Sequence, residues 1–392
     1  MKEKLTLITL IILVFALLFG SLTWINMQLI QRMDAGPQFL APWTSARVFV
    51  FGGQNPYTAP ISQAGALDLP FYALFLYFPF ALVKDFNIAF SLWMSAAELA
   101  LFGVGFLSIH LAGWKPSVLN AVLFYLTLFF SFYGFYPLLA GSTIVFTTLF
   151  LLLMLLSIRE GWDEMLGVLL VFSTFHPEKG GLAFLLILFW ILVERRSRAI
   201  VVAVMSLISI LIVSFLLLPD WIQPYYEIVS TGLQYDNGFL LSDFIKSWFP
   251  ERGFVVAQVF RWVAILALVI EWAKVRKRDF HHLMWTVAFS VAILPYLGIH
   301  ISPYFLSLFL FPLPLLFKNA EDRWGEIMKW FASFLLLLIL SSWFIFMNVV
   351  NINNILIFTY PTLLLVGLFW VRWWSLRTPH TWMDEVKKYQ GG

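Results

Sequence analysis

The sequence predicts an all-α protein that crosses a membrane many times. Of its 392 residues, 61% are hydrophobic and only 12% are charged, whereas a soluble domain carries about 25% charged residues. Apolar runs of roughly 17–25 residues recur along the chain, and each is long enough to cross about 30 Å of hydrocarbon. The runs are continuous rather than alternating, which excludes a transmembrane β-barrel.

Thirteen apolar segments are candidates for membrane spans. They cover residues 5–27, 69–84, 88–112, 117–139, 142–158, 163–176, 180–194, 198–218, 253–274, 280–298, 301–317, 327–348 and 354–374. The first follows Lys2 and Lys4, is too long for the core of a typical signal peptide and lacks a clear cleavage site. We therefore expect it to be an uncleaved anchor.

Basic residues cluster at the ends of these segments and predict the orientation of the chain. The clusters are Lys2/Lys4, Arg159, Arg195/Arg196/Arg198, Lys274/Arg276/Lys277/Arg278, Lys318/Arg323/Lys329 and Arg372/Arg377/Lys387/Lys388, which together hold 17 of the 25 lysines and arginines. The positive-inside rule places all of them in the cytoplasm. Residue 28 is then outside and Arg159 inside, so an odd number of crossings must lie between them. Four candidate spans lie there, so one of them does not cross, either 69–84 or 117–139.

We therefore predict about twelve transmembrane helices in one domain of residues 1–376, followed by a cytoplasmic tail of residues 377–392. Both termini are expected in the cytoplasm. Two long segments, 28–68 and 219–252, would form the first and second outer loops.

The first outer loop contains a predicted interfacial helix. Gly36-Pro37 and Gly52-Gly53 bracket the segment, in which Phe39, Trp43, Val48 and Phe51 form an apolar stripe. A long connector with a surface helix and no further role is the alternative reading.

The order of motifs resembles the GT-C superfamily of membrane glycosyltransferases, and within it glycosyltransferase family 87. The similar stretches are the outer "F…W..AR.F…G..NPY", then "LPFYALFLYFPFALV", "HPEKG" and "GIHISPYFLSLFLFPLPLL". The resemblance covers most of residues 1–320. It implies an inverting hexosyltransferase that moves a mannose-like sugar from a polyprenyl-phosphate donor to a lipid or glycan acceptor. The reaction would occur on the extracytoplasmic face of a bacterial-type inner membrane, with the lipid-linked sugar as donor substrate and no cofactor.

The resemblance also implies a catalytic Asp just before a Phe in the first outer loop, and here that position reads Gln38-Phe39. Glutamine does not accept a proton at neutral pH, and loss of a general base costs about 10²–10⁴ in rate. Either Asp34 or Asp68 replaces the base, or the protein is not catalytic. For each of the two acids, a solvated loop position is the alternative. We expect the first loop to fold against the outer mouth of a cavity with room for a polyprenyl-phosphate lipid, with Phe39 and Trp43 buried and the Gln38 side chain pointing into the cavity.

Five basic residues are candidate ligands of the donor phosphate. His176 matches the Lys of the family's Lys-Pro turn, and Lys179, His300, Arg261 and Arg47 lie in or near predicted outer turns. A helix-turn cap or another structural role is the alternative for the histidines and for Lys179. Glu98 and Arg261 lie within apolar spans, where they could instead pair with each other.

Other function classes have weaker support in the sequence. There are no cysteines, and the six histidines lack metal-ligand spacing, so no metal site is predicted. The basic residues lie at span ends, which gives no indication of nucleic-acid binding. Breaks at Pro79 and at Gly134–Pro137 leave open a transporter or flippase of lipid-linked substrates. The loss of the expected Asp leaves open a structural subunit of a membrane complex that binds protein partners.

Overall fold

The structure is a computed structural model that describes residues 2–33, 35–58, 67–175, 177–232, 239–276, 278–348 and 352–376. It is 83% helical, and within these ranges the isolated β-bridges comprise one antiparallel pair, Phe239 with Ile301. Within the described residues, six helical segments are long and apolar enough to cross a membrane. The predicted class, an all-α polytopic membrane protein, is therefore confirmed.

Eighteen α-helices lie in the described part of the chain. They are α1 Lys2–Ile30, α2 Pro37–Gly52, α3 Phe78–Ala81, α4 Phe86–Ala112, α5 Val118–Phe130, α6 Phe132–Ala140, α7 Ile144–Glu160, α8 Asp163–Phe172, α9 Pro177–Val193, α10 Ser197–Leu217, α11 Ile222–Gly232, α12 Leu241–Trp248, α13 Gly253–Val275, α14 Phe280–Ala292, α15 Leu313–Trp324, α16 Glu326–Leu340, α17 Ser342–Asn348 and α18 Ile352–Leu376. Four 3₁₀ helices, Phe71–Leu76, Ser173–Phe175, Leu294–Leu297 and Pro303–Leu310, extend or connect them.

Of the two segments that could fail to cross, 117–139 has the length of a membrane span and 69–84 does not. Val118–Ala140 is a span of 23 residues, interrupted at Ser131, which ends α5 and caps α6. Segment 69–84 instead holds a six-residue 3₁₀ helix and the four-residue α3. These two pieces rise about 18 Å together, less than the ~30 Å of a hydrocarbon core.

Many of the predicted basic clusters meet at one end of the bundle, which we call the basic end. The contacts that join the helix ends there are Arg159 Nη2 with His110 Nε2 at 2.6 Å, Arg196 with Asp163 at 3.1 Å and Arg372 with Glu271 at 2.6 Å. Stacked rings of Trp324 and Trp370 join α15 to α18. This confirms that charges far apart in sequence share one end, which is the pattern that the positive-inside argument requires.

The interfacial helix α2 packs against the opposite end, which we call the α2 end. Glycines in the left-handed conformation bound it as predicted, with Gly36 at φ 81° and Gly53 at φ 59°. Gly36 N donates to Leu139 O at 2.9 Å, which ties the start of α2 to the end of α6. Trp43 Nε1 donates to Phe80 O at 3.0 Å, which ties α2 to α3.

Phe39 is the centre of the contact between α2 and the bundle. Its side chain is fully buried, and six aromatic rings have centroids within 6.5 Å of its own. These belong to Trp43, Tyr77, Phe80, Phe86, Phe90 and Trp93. The predicted burial of Phe39 and Trp43 is confirmed, whereas Phe51 of the predicted stripe is 59% exposed.

Glu98 does not pair with Arg261, so this part of the sequence interpretation is wrong. Its Oε2 accepts from Asn26 Nδ2 at 3.0 Å, and the same amide donates to Ser95 Oγ at 3.1 Å. A neutral amide on α1 thus donates to the carboxyl group on α4. Such bonds hold two helices together where lipid offers no hydrogen-bonding partner.

Replacement of Gly141 by alanine should destabilise the fold more than the same change at Gly161. Both glycines cap helices, with φ values of 75° and 74°, so each alanine costs about 1–2 kcal/mol in backbone strain. A Cβ at Gly141 would also lie 2.7 Å from Phe39 Cβ and 2.8 Å from Phe90 Cε2, whereas at Gly161 it meets nothing within 4 Å. Crowding should add about 1–3 kcal/mol at Gly141 alone. Thermal unfolding in detergent measures the difference, and equal shifts would contradict the close approach of α2.

Candidate functional site

The candidate site lies at the α2 end, where three parts of the chain surround a small cavity. Its walls come from α7, α9 and the region 294–309, through Thr147, Leu151, Gly181–Phe184, Leu294, Ile299–Ile301, Phe305, Leu308 and Phe309. The cavity volume is about 30 Å³, which holds one or two waters. An acyl chain or a hexose does not fit inside, so the predicted large lipid cavity is not found in this part of the structure.

Two of the predicted phosphate ligands, Arg261 and His300, are brought together by one turn. Gly298 adopts φ 77°, and a Cβ there would lie 3.0 Å from both Cζ and Nε of Arg261. The guanidinium group therefore packs directly over this glycine, two residues before His300. His300 is half-buried and lines the cavity, while Arg261 on α13 is exposed.

The second long loop covers the same turn. Phe239 N donates to Ile301 O at 2.9 Å, and Ile301 N donates to Phe239 O at 3.0 Å. Ile301 is 3% exposed and forms part of the cavity wall. A backbone pair from the loop before α12 thus fixes the residue next to His300.

The beginning of α9 lies beside this cavity. His176 and the side chain of Lys179 lie outside the described residues, while the backbone of Lys179 belongs to the first turn of α9. Gly181 to Phe184, the next residues of α9, line the cavity. The beginning of α9 and the turn at His300 therefore meet at the same wall.

Asp68 is an exposed acid on a buried stretch of backbone. Leu67 and Leu69 on either side are 1% and 2% exposed, while Asp68 is exposed. Four residues later, Tyr72 Oη donates to Thr174 Oγ1 at 3.2 Å and to Thr174 O at 3.3 Å. This contact brings the segment of Asp68 next to Thr174, just before α9.

The other two residues proposed for catalysis are less well placed. Asp34 lies outside the described residues. Gln38 is half-buried on the first turn of α2, and the side chains that line the cavity do not include it. The prediction that the Gln38 amide points into the cavity is therefore not supported by the described part of the chain.

Arg47 joins α2 to the rest of the fold and does not line the cavity, and its assignment to the phosphate site stays a prediction. Its Nη1 donates to Val83 O at 2.7 Å, and its guanidinium carbon lies 5.0 Å from the ring centroid of Trp43. The carbonyl of Val83 belongs to the connection between α3 and α4. Arg47 therefore fastens α2 to this connection, as a planar cation with several donors does well.

Aromatic side chains of three loops form a cluster that the sequence interpretation did not include in the site. Tyr72 contacts Trp221 with ring centroids 5.9 Å apart, and Trp221 contacts Tyr225 at the same centroid distance. Tyr225 in turn contacts Tyr57 at 6.2 Å. The available signal was the position of each aromatic residue within two residues of a proline, in "NPY", "LPFY", "PDW" and "QPY".

Comparison with known families gives a match over much of the chain. The family model described as glycosyltransferase family 87 matches residues 70–303, which is more than half of the chain. The matched range includes α4 to α14 and the turn of His300, and it begins just after Asp68. No curated protein matches this chain.

Replacement of Arg47 by methionine should lower the stability of the protein. The change keeps an apolar stem but removes the bond to Val83 O, and hydrogen bonds of charged groups contribute about 1.5–3 kcal/mol. Arg32→Met, at an exposed position in the same loop, is the matched control and should have little effect. Thermal unfolding checks this. Unchanged stability together with weaker binding of a lipid-phosphate sugar would support the assignment of Arg47 to the phosphate site.

Proposed function

This chain belongs to glycosyltransferase family 87, and we propose on that premise that it transfers a hexose from a polyprenyl-phosphate donor. The acceptor is a hydroxyl of a lipid or glycan at the membrane surface. The hexose lies over the small cavity of the α2 end rather than inside it. The observation that carries the proposal is the exposed carboxylate of Asp68, on a segment that Tyr72 joins to Thr174 just before α9.

The proposed reaction assigns Asp68 as the general base. The acceptor O–H gives its proton to the carboxylate as the oxygen attacks the anomeric carbon. The bond between this carbon and the phosphate oxygen breaks, and polyprenyl phosphate leaves from the opposite side. The attack therefore inverts the anomeric configuration. The base must come within about 2.6–3.2 Å of the acceptor oxygen, directly or through one water.

Cations at the α2 end would stabilise the leaving phosphate. Arg261 packs against the turn that carries His300. We assign the same role to His176 and Lys179, which lie at the start of α9 in the sequence. Charge-assisted bonds to phosphate are strong where water is partly excluded. A site that combines one carboxylate with several cations has the charge distribution that this transfer needs.

We propose that the α2 end is the extracytoplasmic side of the inner membrane. Support comes from the positive charges gathered at the basic end and from the positive-inside rule. Twelve passages with both termini in the cytoplasm follow if 69–84 stays at the α2 end, where Trp43 and Arg47 bond to its backbone.

Loss of the Asp68 carboxylate should abolish most of the transfer. Asp68→Asn keeps the shape of the side chain but removes the proton acceptor, so we expect activity to fall about 10²–10⁴-fold. Asp34→Asn is the matched control and should remain active. The measurement is transfer of a labelled hexose from a polyprenyl-phosphate donor by the purified protein. Full activity in Asp68→Asn would exclude this residue as the base.

A non-catalytic subunit is the second candidate function, and Gln38 is the observation that favours it. An amide can hold an acceptor hydroxyl without deprotonating it. In that case the wild type should be inactive, and it should purify with protein partners in a fixed ratio. Activity that appears only in Gln38→Asp would establish this second function.

Topology can be tested without any substrate. Reporter fusions at Ser197 and Asn237 should score cytoplasmic and extracytoplasmic respectively, because Ser197 begins α10 at the basic end and residue 237 belongs to the second long loop. Fusion after Leu217, at the far end of α10, is an internal control and should match Asn237. The reverse pattern would place the candidate site on the cytoplasmic face.

A further inference from the structure

The turn Asn55-Pro56-Tyr57 directs a tyrosine hydroxyl at the backbone next to Asp68. Tyr57 N donates to Asn55 Oδ1 at 2.9 Å, and Thr58 N donates to Asn55 O at 3.3 Å. An Asx turn of this kind fixes the chain direction without help from a helix or sheet. From it, Tyr57 Oη donates to Leu69 O at 2.7 Å. The "NPY" motif thus has a specific partner at the other end of the first long loop.

The backbone around Leu69, whose carbonyl accepts this hydrogen bond, has little conformational freedom. Leu69 precedes Pro70, and a residue before proline is restricted to extended conformations. Leu67 and Leu69 are buried at 1% and 2% exposure, so their side chains anchor the backbone on both sides of Asp68. The hydrogen bond from Tyr57 fixes the carbonyl group of Leu69. The carboxylate of Asp68 therefore projects from a backbone segment that is held on both sides.

Tyr57 also contacts the second long loop. The ring of Tyr225 on α11 contacts Tyr57 edge-on, with centroids 6.2 Å apart. Burial, followed by the nearby hydroxyl groups and the charge of Asp68, raises the pKa of Tyr57 well above its ordinary value. The phenol therefore remains protonated at neutral pH and continues to donate to Leu69 O.

We infer that Tyr57 is a positioning residue for the carboxylate of Asp68. The inference rests on the proposed role of Asp68 as the general base. A base must sit within hydrogen-bond reach of the acceptor hydroxyl, and a misplacement of about 1 Å costs roughly 100-fold in rate. Tyr57 acts through the backbone of Leu69 and does not touch the substrate.

The kinetic test compares Tyr57→Phe with Tyr226→Phe in the same transfer assay. Tyr226 is the matched control because its side chain is 71% exposed and the change again removes one hydroxyl. We expect kcat of Tyr57→Phe to fall roughly 10–100-fold with KM nearly unchanged, while Tyr226→Phe behaves as wild type. In the Asp68→Asn background, Tyr57→Phe should cause no further loss, because the group it positions is absent. An unchanged kcat, or the same fold-loss in both backgrounds, would overturn the inference.

Amide hydrogen exchange provides a test that does not depend on transfer. Tyr57→Phe should speed exchange in the peptide that covers residues 67–76, while Tyr226→Phe should not. If exchange there stays at the wild-type rate, Tyr57 does not hold this segment and the inference fails, whatever the activity. If wild type transfers no hexose, the proposed function fails, and the exchange result alone then decides whether Tyr57 holds Asp68.

Discussion

The structure of the α2 end depends on the close approach of α2 to the turn between α6 and α7. Gly36 and Gly141 form this contact because each adopts a positive φ and has no Cβ, and a Cβ on Gly141 would lie 2.7 Å from Phe39 Cβ. Phe39 can then enter the surrounding group of aromatic rings and become fully buried. A side chain of this size stabilises by about 1.5–3 kcal/mol when buried, which is enough to hold a surface helix against the bundle.

Once α2 is docked, polar groups extend the contact to the rest of the site. Trp43 and Arg47 donate to carbonyl groups of the short α3 and of the turn that follows it. Beyond α2, Tyr57 reaches Leu69, and Tyr72 reaches Thr174. The first loop, the start of α9 and the second long loop thus form one connected support, and the proposed base and cations project from different parts of it.

Gln38 shows why the position of a residue in a motif does not by itself decide chemistry. Its neighbour Phe39 has a packing role in this chain, and an amide beside it is compatible with that packing. The proton acceptor can therefore come from elsewhere on the same support, provided that its backbone is equally fixed. Asp68 meets this condition because the residues on both sides of it are buried.

The sequence by itself determined the helical membrane class, the boundaries of α2 and the grouping of basic residues, because these follow from composition, glycine and proline positions, and charge. The order of its motifs indicated the family. Tertiary structure decided that 69–84 is broken into short pieces, that Glu98 pairs with Asn26, and that Arg47 bonds to Val83. It also brought Arg261 to the turn of His300 and Tyr57 to the support of Asp68. Hydropathy and motif order carry no information on such contacts, since each depends on which of several polar partners comes within about 3 Å after the helices have packed.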